Sequence, residues 1–194
     1  MKYFSIDLET TGLDPENCNI VEIGIVFDDL MNQRPLDELP RFQTYIVRDV
    51  YQGSPYALGM HSKIWNRIAR LEPGYKFSTE DQVVDEMVGF MLECTPQAGH
   101  FVHGDVLGVG HINVAGKNFA TFDKRFLEKL PNFNDRISIK HRTIDPAVLY
   151  YRKGDACLPA TDECYRRAGT EPVVAHTAVE DAIGVIQLIR KALG

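Results

Sequence analysis

The chain has 194 residues, 44% of them hydrophobic and 25% charged, with 15 glycines and 10 prolines; this suits a single domain, 1–194, with a sizeable core. The formal net charge of −6 argues against a broad basic face gripping long duplex nucleic acid, though not against a short single strand held by metal ions and a few basic side chains. Cys18, Cys94, Cys157 and Cys164 show neither CxxC nor zinc-finger spacing, an acid at residue 7 interrupts any signal-peptide core, and no apolar stretch reaches a membrane span, so a reduced, cytoplasmic chain with no membrane partner is expected.

Residues 2–6 read as a strand that leads into FSIDLETTGLD. Side chains alternate along a strand, so Asp7 and Glu9 share a face. Two like charges that close repel, and burial makes the repulsion worse. The local pattern fits a solvated strand end and a divalent-cation site equally, since carboxylate oxygens are the natural ligands of Mg²⁺ and Mn²⁺. Residues 20–27 (IVEIGIVF) and 41–47 (RFQTYIV) read as two more strands, and the turn-rich pieces between them suit an antiparallel meander.

The pattern then becomes helical. Residues 62–71 carry apolar side chains at helical spacing and stop before Pro73-Gly74, and 78–92 form a longer helix. Residues 111–115 return to strand, 119–130 to helix and 136–139 to strand. Asp145-Pro146 starts a further helix with an Asp cap and Pro at its first position, 161–168 is a short helix closed by Gly169, and the last helix runs from about Ala178 to Leu193. Three early strands followed by alternating helices and strands imply an α/β fold with a mixed sheet covered on both faces.

Two further acids stand near helix starts. Thr177 and Glu180 make a T-x-x-E capping box, which places Asp181 in the first turn of the last helix, at the positive end of its dipole, with His176 just outside the cap. In VAGKNFATFDKRFLEKL a strand ends at Ala115-Gly116, Asn118 can cap the following helix, and Asp123 falls in its early turns. Each feature alone is equally an ordinary capped helix with an acidic first turn and a surface histidine. Together, Asp7, Glu9, Asp123 and Asp181 can converge at one sheet edge, and four carboxylates in one cleft need cations to neutralise them. A histidine beside them can deprotonate a water at neutral pH.

At these residues the chain resembles a known family. Asp7-Leu8-Glu9, Asp123 and His176-x4-Asp181 look like the three motifs of the DEDDh (DnaQ-like) 3′–5′ exonucleases, in order and spacing, over nearly the whole chain. The resemblance implies a ribonuclease-H-like fold with a mixed five-stranded sheet. It implies that Asp7, Glu9, Asp123 and Asp181 hold two Mg²⁺ or Mn²⁺ ions, that His176 is general base, and that Thr10, Leu13 and Phe122 lie at the terminal nucleotide of a single-stranded nucleic acid with a free 3′ end; Gly12 would let the chain turn tightly beside that substrate. Asn118 stands five residues before Asp123, where many relatives have an asparagine four before, and residues 53–64 (GSPYALGMHSKI) differ from the family's usual segment; within them Met60 and His61 are candidates for the terminal-base pocket or for ordinary packing. Rival readings keep the chemistry and change the context: a proofreading partner of a DNA polymerase, or an oligoribonuclease-like enzyme on short RNA. A silent binding module is the reading from another class.

Overall fold

In the computed structural model, which describes residues 1–96, 99–103, 106–172 and 177–194, the early apolar runs form the expected meander. Strands β1 (Lys2–Thr10), β2 (Ile20–Asp29) and β3 (Arg41–Ile46) pair antiparallel in sequence order. Two short strands complete the sheet: β4 (Phe77–Ser78) lies parallel to β3, and β7 (Val114–Ala115) lies parallel to β1. The sheet is therefore mixed and five-stranded, in the order β4-β3-β2-β1-β7, and Ile144 makes one further parallel bridge beyond it, to Ala115.

Alternation along β1 divides the core. Phe4, Ile6 and Leu8 pack with Val83, Val84, Met87, Val88 and Met91 of α3 (Glu80–Cys94), while Tyr3 on the opposite face packs with Val179, Ala182, Ile183 and Ile186 of α8 (Ala178–Leu193). Helices thus cover both faces. The far end of α8 is tied down by Arg190, which donates from Nε and Nη2 to the buried Asp28 at the end of β2, a carboxylate that also accepts from Tyr3 Oη.

A second, three-stranded sheet holds β5 (Gly99–His103), β6 (Val106–Ile112) and β8 (Ile137–Ile139). The remaining helices are short: α1 (Pro55–Met60), α2 (Ser62–Arg70), α4 (Asp123–Leu127), α5 (Phe133–Arg136), α6 (Pro146–Leu149) and α7 (Thr161–Ala168). Among the described residues no helix is long and apolar enough to cross a membrane.

Several expectations change. β1 runs on through Asp7 and Glu9 to Thr10, because its ladder with β2 continues to the Thr10–Ile20 pair. The helix expected over 119–130 shrinks to α4. Asn118 does not cap it: Asn118 is left-handed (φ 55°), its carbonyl accepts from the Thr121 and Phe122 amides, and Phe122 occupies the cap position with no side-chain capping bond. The strand expected over 111–115 is interrupted at Asn113, between the end of β6 and β7, and the β5–β6 hairpin is new, its period hidden by interspersed glycines and histidines. The segment 53–64 folds as α1 and α2, which meet at His61; Ser54 caps α1 with Pro55 at its first position.

Candidate active site

The sheet edge where β1 ends is built by close backbone approaches. Gly24 of β2 stands opposite Asp7, and a Cβ there would lie 2.3 Å from the Ala178 carbonyl carbon. Only a glycine lets the start of α8 settle on the strand so closely. Thr177 fixes that start, accepting from the Glu180 amide at 3.3 Å while its hydroxyl donates to Glu180 Oε2. Asp181 is thereby brought over β1, and ligand oxygens of Asp7, Glu9 and Asp181 all lie within 4.8 Å of one another.

Asp123 arrives by another route. β7 pairs with β1 only at Phe4 and Ser5, so the edge of β1 is open beyond that point. The Leu8 amide exposed there donates to Asp123 Oδ1 at 3.1 Å, and Asp123 itself is 2% exposed. Burial and then repulsion from Asp123, Asp181 and Glu9 raise Asp7 well above the ordinary carboxylate range. Burial likewise pushes Glu9 up to about 7, and Asp123 to about 7 against the pull of its Leu8 hydrogen bond. Asp7, Glu9 and Asp181 thus come together, with Asp123 held alongside through the Leu8 amide.

A fifth carboxylate joins them. Glu22 of β2 stands opposite Glu9, fully buried, and accepts from Gln43 Nε2. Burial, opposed by Gln43 and the Ala178 amide, leaves it at about 7. The sequence signal for it is a lone acid inside the apolar run IVEIGIVF.

The turn after β1 is held by Thr11, which hydrogen bonds through its amide to Asn19 O (2.9 Å), through its carbonyl from the Ser54 amide (2.8 Å) and through Oγ1 from the Asn19 amide (2.7 Å). Thr10 is buried and donates from Oγ1 to Gly12 O; Leu13 is 84% exposed. Gly12 lies in the bend after β1 with a positive φ of 159°, and Cys18 Sγ would come within 2.6 Å of any Cβ there. His61 donates from Nε2 to the Thr10 carbonyl at 3.0 Å and sets Nδ1 3.7 Å from Glu9 Oε2. With Glu9, Met60, Lys63 and Ile64 it lines a cavity of about 270 Å³. A second cavity, of about 290 Å³, opens beside Asp7 and Asp181, lined also by Lys117, Asp145 and Tyr165.

Phe122 is half-buried with its ring 5.2 Å from that of Phe126. Asn118 is exposed and donates its amide to Asp145 Oδ2. His176 lies outside the described residues.

No family model matches the chain, and no curated relative matches it. Solved structures do. Escherichia coli exonuclease I in complex with a dT13 oligonucleotide aligns with TM-score 0.61 at 15% identity, over 97% of this chain and 40% of that one. The zinc-bound form of the E. coli exonuclease I complex with single-stranded DNA gives 0.63 at 16%, over 97% and 39%. A moderately thermophilic exonuclease I from Methylocaldum szegediense gives 0.62 at 16%, over 98% and 40%. At such identities the likeness establishes the ribonuclease-H-like α/β fold. The chain spans about 40% of the length of these enzymes.

Proposed function

We propose that this protein is a metal-dependent 3′–5′ exonuclease that releases nucleoside 5′-monophosphates from single-stranded DNA or RNA. The observation that carries the reading is the meeting of Asp7, Glu9 and Asp181 within 4.8 Å, with the buried Asp123 bonded to the Leu8 amide between Asp7 and Glu9. Like charges gathered at such cost in a half-buried cleft call for cations, and an all-carboxylate donor set suits Mg²⁺ or Mn²⁺ rather than a softer metal. Asp7, Glu9, Asp123 and Asp181 would hold the ions. Bound there, two such ions would activate a water and stabilise the leaving 3′-oxygen. The fold shared with exonuclease I, solved in complexes with single-stranded DNA, supports the same reading.

The chain's own groups then divide the work. The cavity beside Glu9, with Met60 and His61, receives the terminal nucleotide, while the Thr10 backbone and the exposed Leu13 fix its position. Phe122 and Asn118 border the site from the α4 side. His176, assigned by the sequence resemblance, takes the proton of the attacking water. Incubating 5′-labelled single-stranded DNA and RNA with Mg²⁺ or Mn²⁺ tests the proposal. Shortening from the 3′ end that stops with EDTA is expected, and the same gel ranks DNA against RNA; intact substrate under all conditions would falsify it.

A further inference from the structure

A basic groove lies at the opposite end of the sheet edge from the carboxylates. It is a concave surface of about 540 Å³ lined by His111, Asn113, Ser138, Lys140, His141 and Arg142, with Ile139 between them. None of these residues is a carboxylate, in a chain whose net charge is −6. Several cations elsewhere are taken up locally: Lys124 by Glu128, Lys129 by Glu16, Arg136 by Asp85, Arg167 by Asp155 and Glu163. Neither Lys140 nor Arg142 forms an ion pair with a described residue, and both are exposed.

The backbone is bent to build this surface. Between the Val109–Ile137 and Ile112–Ile139 pairs, β6 spends two residues against one of β8, a bulge. His111 sits in it at φ 56°, a left-handed conformation that a histidine adopts at an energetic cost, and the bulge turns its exposed ring into the groove.

The groove and the site lie along the same sheet edge. Ala115 of β7 and Ile144 form a parallel bridge. Lys117, two residues beyond Ala115, lines the cavity beside Asp7 and Asp181; Arg142, two residues before Ile144, lines the groove. Four residues separate the two cations along the edge, at most roughly 13 Å if fully extended. That is a span of a few nucleotides.

We infer that the groove holds backbone phosphates of the nucleic-acid strand upstream of the nucleotide in the carboxylate site. Lys140 and Arg142 supply charge, and His111, His141, Asn113 and Ser138 supply donors, none of which reads base identity. The inference rests on the nuclease reading above, and the site makes the enzyme favour strands long enough to reach from one feature to the other.

The test measures binding of fluorescent oligothymidylates to full-length protein in EDTA, so that it does not depend on cleavage. A dinucleotide and a strand of about ten nucleotides are compared for the wild type, for Lys140→Gln/Arg142→Gln, and for Lys153→Gln/Lys191→Gln, which removes equal charge elsewhere. The groove variant is expected to bind the longer strand about tenfold more weakly with a shallower salt dependence, and the dinucleotide as the wild type does. The control variant should stay within about twofold for both. Equal loss for both lengths, equal loss in the control, or no loss at all overturns the inference. So does loss of binding to phosphatidylserine vesicles with oligonucleotide binding unchanged, which would make the groove a membrane contact. Melting curves confirm that the variants are folded. Failure of the nuclease reading shows separately, as absent metal-dependent shortening.

Discussion

Gly24 and Ala178 meet backbone to backbone, so closely that a Cβ on Gly24 would lie 2.3 Å from the Ala178 carbonyl carbon. Because Gly24 is also the register partner of Asp7, this contact sets the height of Asp181 above β1. A methyl group there must lift the start of α8. Gly24→Ala is expected to cost about 1–3 kcal/mol in stability, the usual scale of overpacking, and to weaken Mn²⁺ binding although no acid has been touched. Thermal melts with and without Mn²⁺ check both effects. A variant with the wild-type metal-induced shift would show that α8 finds its place by other contacts.

Asp123 has two separable roles, a charge for the metal and an acceptor for the Leu8 amide. Asparagine keeps the acceptor and drops the charge, whereas alanine drops both. Both variants are expected to be inactive. Asp123→Ala should in addition be less stable than Asp123→Asn by about 1–3 kcal/mol, the cost of leaving a buried amide unpaired. Denaturant titration of the two variants side by side is the measurement; identical midpoints would mean that the Leu8 bond does not anchor α4.

The crowded acids predict an inverted pH dependence for the metal-free protein. Asp7 is raised well above the ordinary range, and Glu9, Glu22 and Asp123 titrate at about 7. In an unfolded chain the same groups titrate near 4. Between about 4 and 7 the native state therefore binds more protons than the unfolded state, so stability falls as pH rises through that window. Asp155 and Glu163, paired with Arg167, are held down at about 2, so the stability they add is lost only as pH falls from about 4 toward 2, below that window. In EDTA the melting temperature is expected to be higher near pH 5 than near pH 8. Mn²⁺ should reverse the difference, since the ionised acids bind it. Asp7→Asn should raise the metal-free melting point near pH 8, abolish activity and blunt the Mn²⁺ response. A pH-independent melt in EDTA would contradict the electrostatic account.

These acids differ in how far they can be read before folding. Asp7 and Glu9 are legible because a two-residue period puts them on one face, and Asp181 because Thr177 and Glu180 mark a helix start. Asp123 is legible through the resemblance and not through its helix, since α4 begins at Asp123 itself and Asn118 turns left-handed instead of capping it. Glu22 hides in a strand that reads as uniformly apolar. The need for Gly24 is invisible locally, because it comes from a helix that returns more than 150 residues later. The contact of His61 with Thr10 and Glu9 has the same origin: α1 and α2 bring it back over the end of β1.

Two histidines are thus candidates for the proton of the attacking water, and they predict different kinetics. His61 is placed by geometry: because the Thr10 carbonyl can only accept, Nε2 carries a proton, and Nδ1 is directed at Glu9 at 3.7 Å. Nε2 is committed to the Thr10 carbonyl, which suits a group that walls the cavity beside Glu9 rather than one that shuttles a proton. His176 is assigned by its place in the sequence, five residues before Asp181. If His176 is the base, His176→Ala should slow single-turnover cleavage by roughly 10²–10⁴-fold, the scale of a positioned acid–base group, with Mn²⁺ binding intact because every carboxylate remains. His61→Ala should instead raise KM more than it lowers the single-turnover rate, and it should weaken the Mn²⁺-induced melting shift by loosening Glu9. The pH profile adds a check that a packing role cannot imitate. The wild-type rate should climb through the range where an imidazole loses its proton. In His176→Ala that limb should disappear, leaving any limb from metal-bound water; in His61→Ala it should remain. A folded His176→Ala protein that cleaves at the normal rate, beside a His61→Ala protein that has lost the limb, would exchange the two assignments.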